Sequence, residues 1–378
     1  MIDKERLVEQ FMQLVQVDSE TKQEQEIGGA LKALFGSLGL KVFEDDTKEK
    51  TGHGSGNLIF TMEASEGMEE ADVLFFTSHM DTVRPGKGIK PRLDEEGFIR
   101  SDGTTILGSD DKAGIAVMLE AIRAIAENNV PHGKIQFVIT AGEESGLVGS
   151  RAMDKRHMQA KFGYALDSNG AIGEICVAAP TQAKIDVTII GKSAHAGVNP
   201  EDGISAIQVA SKAISRMPLG RIDKDTTANI GRFEGGLETN IVCETVHIAA
   251  EARSVIHEKM ERQVQAMKEA FEKTAEEFGA RAQFSHSVIY PAYKLEADDP
   301  VVQIAFKAFE KLGIQTKTFQ SGGGSDANVF NGMGIPTVNL AVGYRNIHTT
   351  KEHIHSDDLV KLAEAVIAIV QEASAFKS

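Results

Sequence analysis

The chain has 378 residues, which is more than one hydrophobic core usually serves, so about two domains are expected. Apolar residues make up 42% of the chain and charged residues 25%, which is the composition of a soluble globular protein. The formal net charge of -15 disfavours a nucleic-acid partner, because phosphate backbones repel an acidic surface. No apolar run has the length that a membrane span needs, so no membrane partner is expected.

Two features of the composition predict a cytoplasmic protein. Charged residues occupy positions 3–6, where a secretory signal would need an apolar core. The chain has only two cysteines, Cys176 and Cys243, each in an apolar, strand-like segment. Two such thiols are expected to be buried and reduced, rather than to form a disulfide or a zinc knuckle.

The first part of the chain alternates between helical and strand-like patterns. Apolar residues at helical spacing predict amphipathic helices, and short apolar runs predict strands that are buried on both faces of a sheet. In chain order we expect helices at 7–15 and 27–38, strands at 57–60 and 73–77, a helix that opens within 107–114 and reaches about 128, and strands at 135–140 and 164–166. This order favours a mixed, mostly parallel sheet sandwiched by helices.

The pattern changes near Pro180. Apolar and polar residues start to alternate there, as in an antiparallel strand with one exposed face. The segments that follow are a strand at 183–189, a helix at 203–216, strands at 228–233 and 245–253, a helix at 258–278 and a strand at 282–289. This β-α-β-β-α-β order is the split-βαβ, or ferredoxin-like, pattern and predicts a compact inserted lid.

The α/β pattern returns after the lid, with a helix signal at 298–300, a strand at 336–340 and a last helix at 356–376. We therefore predict a catalytic α/β domain formed by residues 1–179 and 296–378, and a lid and dimerisation domain over 180–295. A two-layer lid leaves edge strands unpaired, and two lids paired about a twofold axis would satisfy their amides. A homodimer through the lid is therefore expected.

Histidine and acidic residues follow the carboxyl ends of three predicted strands, where open α/β sheets bind their ligands. His79 and Asp81 end one strand, Glu143 and Glu144 follow the next, and Asp167 follows the third. Because residues i and i+2 of an extended chain share a face, the Asp81 carboxylate is expected to reach one imidazole nitrogen of His79. A metal-ligating histidine is usually oriented in this way.

Asp110 and His348 extend this set of polar residues. Apart from Asp81 and Glu143, the set contains two histidines and three carboxylates. These ligands are typical of a site for two divalent ions that share a bridging carboxylate. The bridge is needed because two cations a few ångströms apart repel each other strongly. Spacing alone leaves open whether Asp110 or its neighbour is the bridge, and whether His348 or His355 is the last ligand.

These motifs resemble those of the M20 metallopeptidases, most closely the peptidase T branch of tripeptide aminopeptidases. The matching segments are 78–83, 108–114 and 142–144, Asp167, and His348 with Glu352. The resemblance covers the whole chain, including the position of the lid, and implies a pair of zinc ions, for which cobalt or manganese could substitute. In the family pattern the bridge lies two residues before a lysine, which selects Asp110. The last ligand is chosen by His-x-x-x-Glu spacing, which selects His348.

The resemblance also implies roles for individual residues. One ion would be held by His79, Asp110 and Asp167, and the other by Asp110, Glu144 and His348, with a water or hydroxide between them. Asp81 would orient His79, and Glu143 would be the general base. The bond between Asp110 and Asp111 is expected to be cis. Since adjacent residues on a strand or tight turn point apart, only one of Glu143 and Glu144 is expected to face the metals.

Residues of the lid and of a glycine-rich loop match family positions that contact substrate. His195 matches a lid histidine that assists at the substrate carbonyl, which we expect it to do in the partner subunit of the dimer. Asn240 and Arg253 match positions that hold the peptide or its carboxylate, although an arginine in a strand equally pairs with a structural carboxylate. The loop containing Gly323 and Gly324 resembles a substrate loop, where glycine lets backbone amides approach a ligand.

The sequence thus predicts a dinuclear zinc exopeptidase that removes the N-terminal residue from short peptides. An N-acyl amino acid deacylase, a dipeptidase or a carboxypeptidase remains an alternative, because these activities share the metal core and specificity lies in the lid. A catalytically silent peptide-binding protein would be expected to lack a ligand or the base, and none is missing here. A metallophosphoesterase would need neither the two adjacent glutamates nor the lid.

Overall fold

The structure is a computed structural model and describes residues 1–376. Its helices are α1 (Lys4–Val15), α2 (Gln25–Ser37), α3 (Thr47–Thr51), α4 (Ser109–Glu127), α5 (Val148–Ala152), α6 (Ala206–Ser215), α7 (His257–Glu277), α8 (Pro300–Lys311), α9 (Asp326–Gly332) and α10 (Ser356–Ala375).

The strands are β1 (Lys41–Glu44), β2 (Leu58–Met62), β3 (Leu74–His79), β4 (Arg92–Leu93), β5 (Phe98–Arg100), β6 (Ile135–Thr140), β7 (Phe162–Ser168), β8 (Glu174–Ala179), β9 (Thr181–Ile190), β10 (Gly220–Arg221), β11 (Thr226–Gly235), β12 (Thr245–Ser254), β13 (Arg281–Tyr290), β14 (Tyr293–Lys294), β15 (Lys317–Gln320), β16 (Thr337–Ala341) and β17 (His353–His355).

The chain divides into two compact units. The first comprises Met1–Ala178, Lys294–Ser321 and residues 325–376, and the second comprises Ala179–Tyr293 with Gly322–Gly324. The sequence did not predict that Gly322–Gly324 belong to the second unit. They do so because Gly324 lies against the ring of Tyr290, where a side chain on the glycine would clash.

The first unit is built on a large mixed sheet in which β1, β2, β6, β3, β7, β16 and β8 lie side by side in that order. The four central strands β6, β3, β7 and β16 are parallel, whereas β1, β2 and β8 pair antiparallel with their inner neighbours. The carboxyl ends of the central strands therefore meet at one edge of the sheet.

Helices cover both faces of this sheet because successive residues of its central strands are apolar. Phe76 and Phe137 point into the larger core, formed with α1, α4, α8 and α10. Phe75 and Val138 point into a smaller core on the other face, where Phe330 of α9 packs. Strands buried on both faces explain the continuous apolar runs in the sequence, and the predicted mixed α/β fold is confirmed.

The second unit has an antiparallel sheet with the order β10, β11, β12, β9, β13. In β9, Ile185 and Val187 are buried against α6 and α7, while Lys184 and Asp186 are exposed on the opposite face. The predicted β-α-β-β-α-β order is therefore confirmed, with the short β10 as an additional strand.

Both cysteines are buried, as predicted. Cys176 lies in β8, but Cys243 lies in the loop before β12, so its predicted strand position was wrong. Its neighbours Val242 and Glu244 belong to the same loop, which is apolar only in part. Among the helices of residues 1–376, none combines the length and the apolar character that crossing a membrane requires.

Candidate metal and catalytic site

The parallel strands of the first unit bring the predicted site residues to one edge of the sheet. β3 ends at His79, β6 ends just before Glu143 and Glu144, and β7 contains Asp167 near its carboxyl end. The loop after β16 contains His348. The first turn of α4 contributes Asp110, and the peptide bond that follows it is cis, as expected.

His79 lies at the centre of the first group of potential ligands. Its Nε2 is 3.0 Å from Oδ1 of Asp110 and 3.7 Å from Oδ1 of Asp167. The imidazole is buried, with a relative exposure of 1% for the residue. His79 therefore contacts both of the carboxylates that are predicted to hold one ion with it. The donor atoms of His79 and Asp110 also lie close enough to that of Glu144 for the three to hold one ion.

His348 joins a second group with Asp110 and Glu144. Its Nε2 is 2.9 Å from Oε1 of Glu144 and 3.2 Å from Oδ2 of Asp110. Asp110 thus turns one carboxylate oxygen toward each imidazole, which is the arrangement expected of a bridging ligand.

Asp111 is the other aspartate that spacing allowed as a bridge. It is fully buried, and one of its oxygens accepts a hydrogen bond from the backbone N–H of His79 at 3.2 Å. Asp111, His79 and Asp167 could also gather around one ion. Asp110 differs from Asp111 in that its carboxylate contacts both imidazoles.

His355, the alternative last ligand, lies elsewhere in the unit. Its Nε2 is 2.9 Å from the carbonyl oxygen of Glu96, and its ring packs edge-on against Phe98. Its Nδ1 accepts a hydrogen bond from the backbone of Asp357 and so caps α10. These contacts occupy both ring nitrogens, which leaves His348 as the histidine that meets Asp110.

Asp81 contacts His79 differently from the sequence-based expectation. Nδ1 of His79 lies 2.9 Å from the backbone carbonyl oxygen of Asp81 but 3.6 Å from its carboxylate. The reason is that β3 ends at His79, so the i, i+2 geometry of an extended strand no longer applies at Asp81. The backbone carbonyl therefore makes the closer contact to the histidine.

The carboxylate of Asp81 instead holds the turn that contains the two glutamates. It accepts hydrogen bonds from the backbone N–H groups of Glu143 at 2.9 Å and Glu144 at 3.3 Å, and from Oγ1 of Thr21 at 2.8 Å. Burial would raise the pKa of Asp81, but His79 and these hydrogen bonds hold it below its usual value. Asp81 is therefore an ionised anchor for this turn.

Glu143 and Glu144 belong to a short 3-10 turn that begins after Gly142, whose φ of 66° suits glycine. Glu144 points to His348, as described above. Burial raises the pKa of Glu143 well above its usual value, and the charges of Asp167 and Glu144 add to this against the opposing effect of His79. A carboxyl group with a raised pKa can accept and return a proton near neutral pH.

The charge of the cluster fits divalent cations. Within residues 1–376, no lysine or arginine forms an ion pair with Asp110, Glu144 or Asp167, and only the two imidazoles balance them. Hydrogen bonds to Asp110 and Glu144 raise the pKa of His348 to about 10. Burial lowers the pKa of His79, but the hydrogen bonds to Asp110 and Asp81 raise it by more. The pKa of His79 therefore lies well above its usual value. Imidazole nitrogens among carboxylates are the ligands that zinc prefers.

We expect metal binding to release protons at pH 7. In the metal-free protein the pKa values of both imidazoles are raised, and burial raises the pKa of the Asp167 carboxyl, whereas metal ligands must be deprotonated. The apparent metal affinity should therefore fall as the pH falls. Titration calorimetry in two buffers with different ionisation enthalpies measures the protons released. Equal heats in both buffers would contradict this charge distribution, and the variant His348→Gln should release fewer protons than the wild type.

Two residues that support Asp167 were missed by sequence reasoning. Tyr344 donates a hydrogen bond from its hydroxyl to Oδ1 of Asp167 at 3.1 Å. The side chain of Asn339 accepts from the backbone N–H of Asp167 at 2.9 Å and donates to its carbonyl at 2.8 Å. The only sequence signal was a polar Asn339 within the apolar strand β16. Together they hold both the backbone and the carboxylate of Asp167.

The remaining predicted residues belong to the second unit. His195 is exposed, and its Nδ1 accepts hydrogen bonds from the backbone N–H groups of Gly197 and Val198 at 3.1 and 3.2 Å. When neutral, its ring therefore carries the proton on Nε2. Exposed Asn240 lies beside it, since its carbonyl accepts from the N–H of Ala196.

Arg253 already has a carboxylate partner within the second unit. Its Nε and a terminal nitrogen donate to the two oxygens of Glu251 at 2.8 and 3.2 Å, in a bidentate ion pair. Gln182 donates to the same carboxylate at 2.7 Å. Of the two roles that the sequence allowed for Arg253, pairing with a structural carboxylate is the one present here. Gly323 and Gly324 also lie in this unit.

Comparisons with known proteins agree over nearly the whole chain. The sequence profile of Peptidase family M20/M25/M40 matches residues 75–372. The crystal structure of aminopeptidase PepT from Bacillus cereus ATCC 10987 has a TM-score of 0.93 and 61% sequence identity, covering 98% of this chain and 99% of that one. The crystal structure of a tripeptidase from Staphylococcus aureus has a TM-score of 0.96 and 47% identity, covering 100% of both chains. Peptidase T of Geobacillus kaustophilus (strain HTA426) is 27% identical over 419 residues, covering 97% of this chain and 98% of that protein.

Proposed function

The chain belongs to peptidase family M20/M25/M40 and is a metallo-exopeptidase that hydrolyses peptides, and we propose that it releases the N-terminal residue from short peptides. The observation that carries the proposal is the cluster of imidazoles and carboxylates at one edge of the sheet, in a chain that is 61% identical to an aminopeptidase. The cluster contains His79, Asp110, Glu144, Asp167 and His348, and Glu143 lies in the same short turn as Glu144.

We propose that the site takes two divalent ions, with zinc favoured by its imidazole and carboxylate ligands and cobalt or manganese as substitutes. His79, Asp110 and Asp167 would hold one ion. Asp110, Glu144 and His348 would hold the other. Such ions lower the pKa of a water molecule to roughly 7 and polarise the carbonyl of the peptide bond.

In this proposal Glu143 moves the proton. Its carboxylate takes a proton from the attacking water as the oxygen bonds to the carbonyl carbon. The same proton then passes to the leaving amine as the C–N bond breaks, so no other acid or base is needed. The hydrogen bonds from the Glu143 and Glu144 amides to Asp81 support this role, because they fix the turn from which the base acts.

The second unit is proposed to provide substrate contacts. The role proposed for His195 is the one implied by the family resemblance, in which Nε2 donates a hydrogen bond to the substrate carbonyl oxygen. The protein is proposed to form a homodimer through the lid, and His195 would act on the substrate bound by the partner subunit. Asn240, Arg253, Gly323 and Gly324 are proposed to contact the peptide. Arg253 would contact the peptide while its guanidinium is paired with Glu251, or after giving up that pair. A cytoplasmic location remains a prediction from the sequence.

A panel of di-, tri- and tetrapeptides with free or acetylated amino termini tests the proposal. We expect hydrolysis of tripeptides with a free amino terminus, with the first residue as the product identified by mass spectrometry. Acetylation should abolish the reaction. The variant Glu143→Gln, purified in parallel, controls for contaminating peptidases. Hydrolysis of acetylated amino acids alone would instead establish the deacylase alternative, and release of the C-terminal residue would establish a carboxypeptidase.

A further inference from the structure

Glu352 is a buried carboxylate that takes no part in the proposed reaction. Its relative exposure is 2%, and no basic side chain among residues 1–376 forms an ion pair with it. A lone buried carboxylate is costly unless hydrogen bonds replace its lost water. Glu352 lies four residues after His348, and the sequence does not reveal which groups donate hydrogen bonds to its carboxylate.

The donors come from the segment that leads into Asp110. Oε2 of Glu352 accepts from the backbone N–H groups of Leu107 at 2.8 Å and Gly108 at 2.9 Å. Oε1 accepts from Oγ of Ser109 at 2.6 Å and from the backbone N–H of Asp110 at 3.1 Å. These backbone groups stand at the amino end of α4, where no preceding turn can accept their hydrogen bonds. Glu352 therefore holds the backbone from which the Asp110 side chain extends.

The backbone of Glu352 belongs to the turn that carries His348. Its N–H donates to the carbonyl oxygen of Thr349 at 3.1 Å, and Oγ1 of Thr349 donates to the carbonyl of Asn346 at 2.7 Å. His348 itself has a φ of 62°, a backbone conformation that residues other than glycine rarely adopt. A turn of this kind needs its internal hydrogen bonds to persist.

We propose that Glu352 is a positioning residue that fixes Asp110 and His348 relative to each other, and thereby sets the affinity for the metal ion that these two residues share. One residue joins the two segments: its carboxylate holds the first, and its backbone closes the second. Nε2 of His348 lies 3.2 Å from Oδ2 of Asp110 in this arrangement. The inference rests on the proposed metal site and extends it to a residue that touches no metal.

The substitution Glu352→Gln tests this role. An amide of the same shape has one accepting oxygen, and its NH2 group would face two of the four donors. Zinc titration of the metal-free protein should show a weakening of about 10- to 100-fold for one of the two equivalents, with a smaller effect on the other, because His348 serves only one of the two proposed positions. Thermal unfolding of the metal-free protein is measured in parallel.

Glu120→Gln is the matched control. Glu120 is a fully buried carboxylate later in α4, and it accepts from Nε of Arg6 at 2.7 Å and from the backbone of Asp3 at 2.9 Å. It should lower the unfolding temperature and leave both zinc affinities unchanged. If both variants lose zinc affinity in proportion to their stability, or if Glu352→Gln binds two equivalents as tightly as the wild type, the positioning role is wrong.

Ser109→Ala is a milder variant for the case that Glu352→Gln does not fold. It deletes one donor to Oε1 of Glu352 and should weaken the same zinc equivalent as Glu352→Gln does, by a smaller factor. Unchanged affinity in Ser109→Ala would then count against the inference. A wild-type protein that fails to bind two equivalents would instead contradict the proposed metal site, so the two failures are distinguishable.

Discussion

Replacing Glu143 with glutamine is expected to lower peptide turnover by roughly a hundredfold or more while the protein still binds two metal ions. Glutamine keeps the shape of the side chain but cannot accept a proton from the attacking water. The backbone N–H of residue 143 would still donate to Asp81, so the turn should stay in place. Steady-state kinetics with a tripeptide, together with elemental analysis of the purified protein, provides the measurement.

Glu144→Gln is the matched control, since it changes the same chemical group one residue away. Oε1 of Glu144 lies 2.9 Å from Nε2 of His348, so this variant should lose affinity for one metal ion as well as activity. The contrast between the neighbours separates a base from a ligand. Full activity in Glu143→Gln, or a loss of metal rather than of rate, would mean that the role of Glu143 is misassigned.

Asp110→Asn is expected to abolish tight binding of both metal ions and to reduce turnover at least as strongly, on the order of a hundredfold or more. The carboxylate of Asp110 is the only one that contacts both imidazoles among the described residues. An amide supplies one neutral oxygen where two anionic oxygens are needed, and two nearby cations then repel each other without a shared negative charge. Metal content and titration with zinc measure the effect.

Asp111→Asn tests whether the correct aspartate has been chosen. This neighbour is also buried, and its carboxylate accepts a hydrogen bond from the backbone N–H of His79. Within residues 1–376, His348 contacts Asp110 and Glu144 rather than Asp111. It should retain two metal ions. Retention of both ions by Asp110→Asn and their loss in Asp111→Asn would reverse the assignment of the bridging ligand.

Much of the site could be predicted because it follows from the sheet. His79, the glutamates after β6 and Asp167 each follow or end an apolar strand, and parallel strands bring their carboxyl ends to one edge. Local pattern was sufficient for these residues, since a short continuous apolar run indicates a strand that is buried on both faces. The split-βαβ order of the second unit was predictable from the alternation of apolar and polar residues in its half-exposed strands.

The contacts that could not be predicted depend on the residue at which a strand ends, or they join residues that are far apart in the sequence. Asp81 was expected to face His79 with its carboxylate, but the strand ends at His79, two residues before Asp81, and the backbone carbonyl of Asp81 makes the closer contact. The bonds from Glu352 to the segment at 107–110 join residues more than 240 positions apart, and spacing cannot reveal them. Spacing alone left both His348 and His355 open, and only the family pattern selected His348; in the structure both ring nitrogens of His355 are engaged away from Asp110.

The most direct test of the central claim is the hydrolysis of one tripeptide with a free amino terminus by chelator-treated protein, as zinc is returned in measured steps. We expect no hydrolysis without metal, and release of the N-terminal residue that reaches its full rate when two equivalents of zinc are bound. Cleavage at the full rate by protein shown by elemental analysis to be metal-free, or release of the C-terminal residue instead, would contradict the claim that this chain is a dinuclear aminopeptidase.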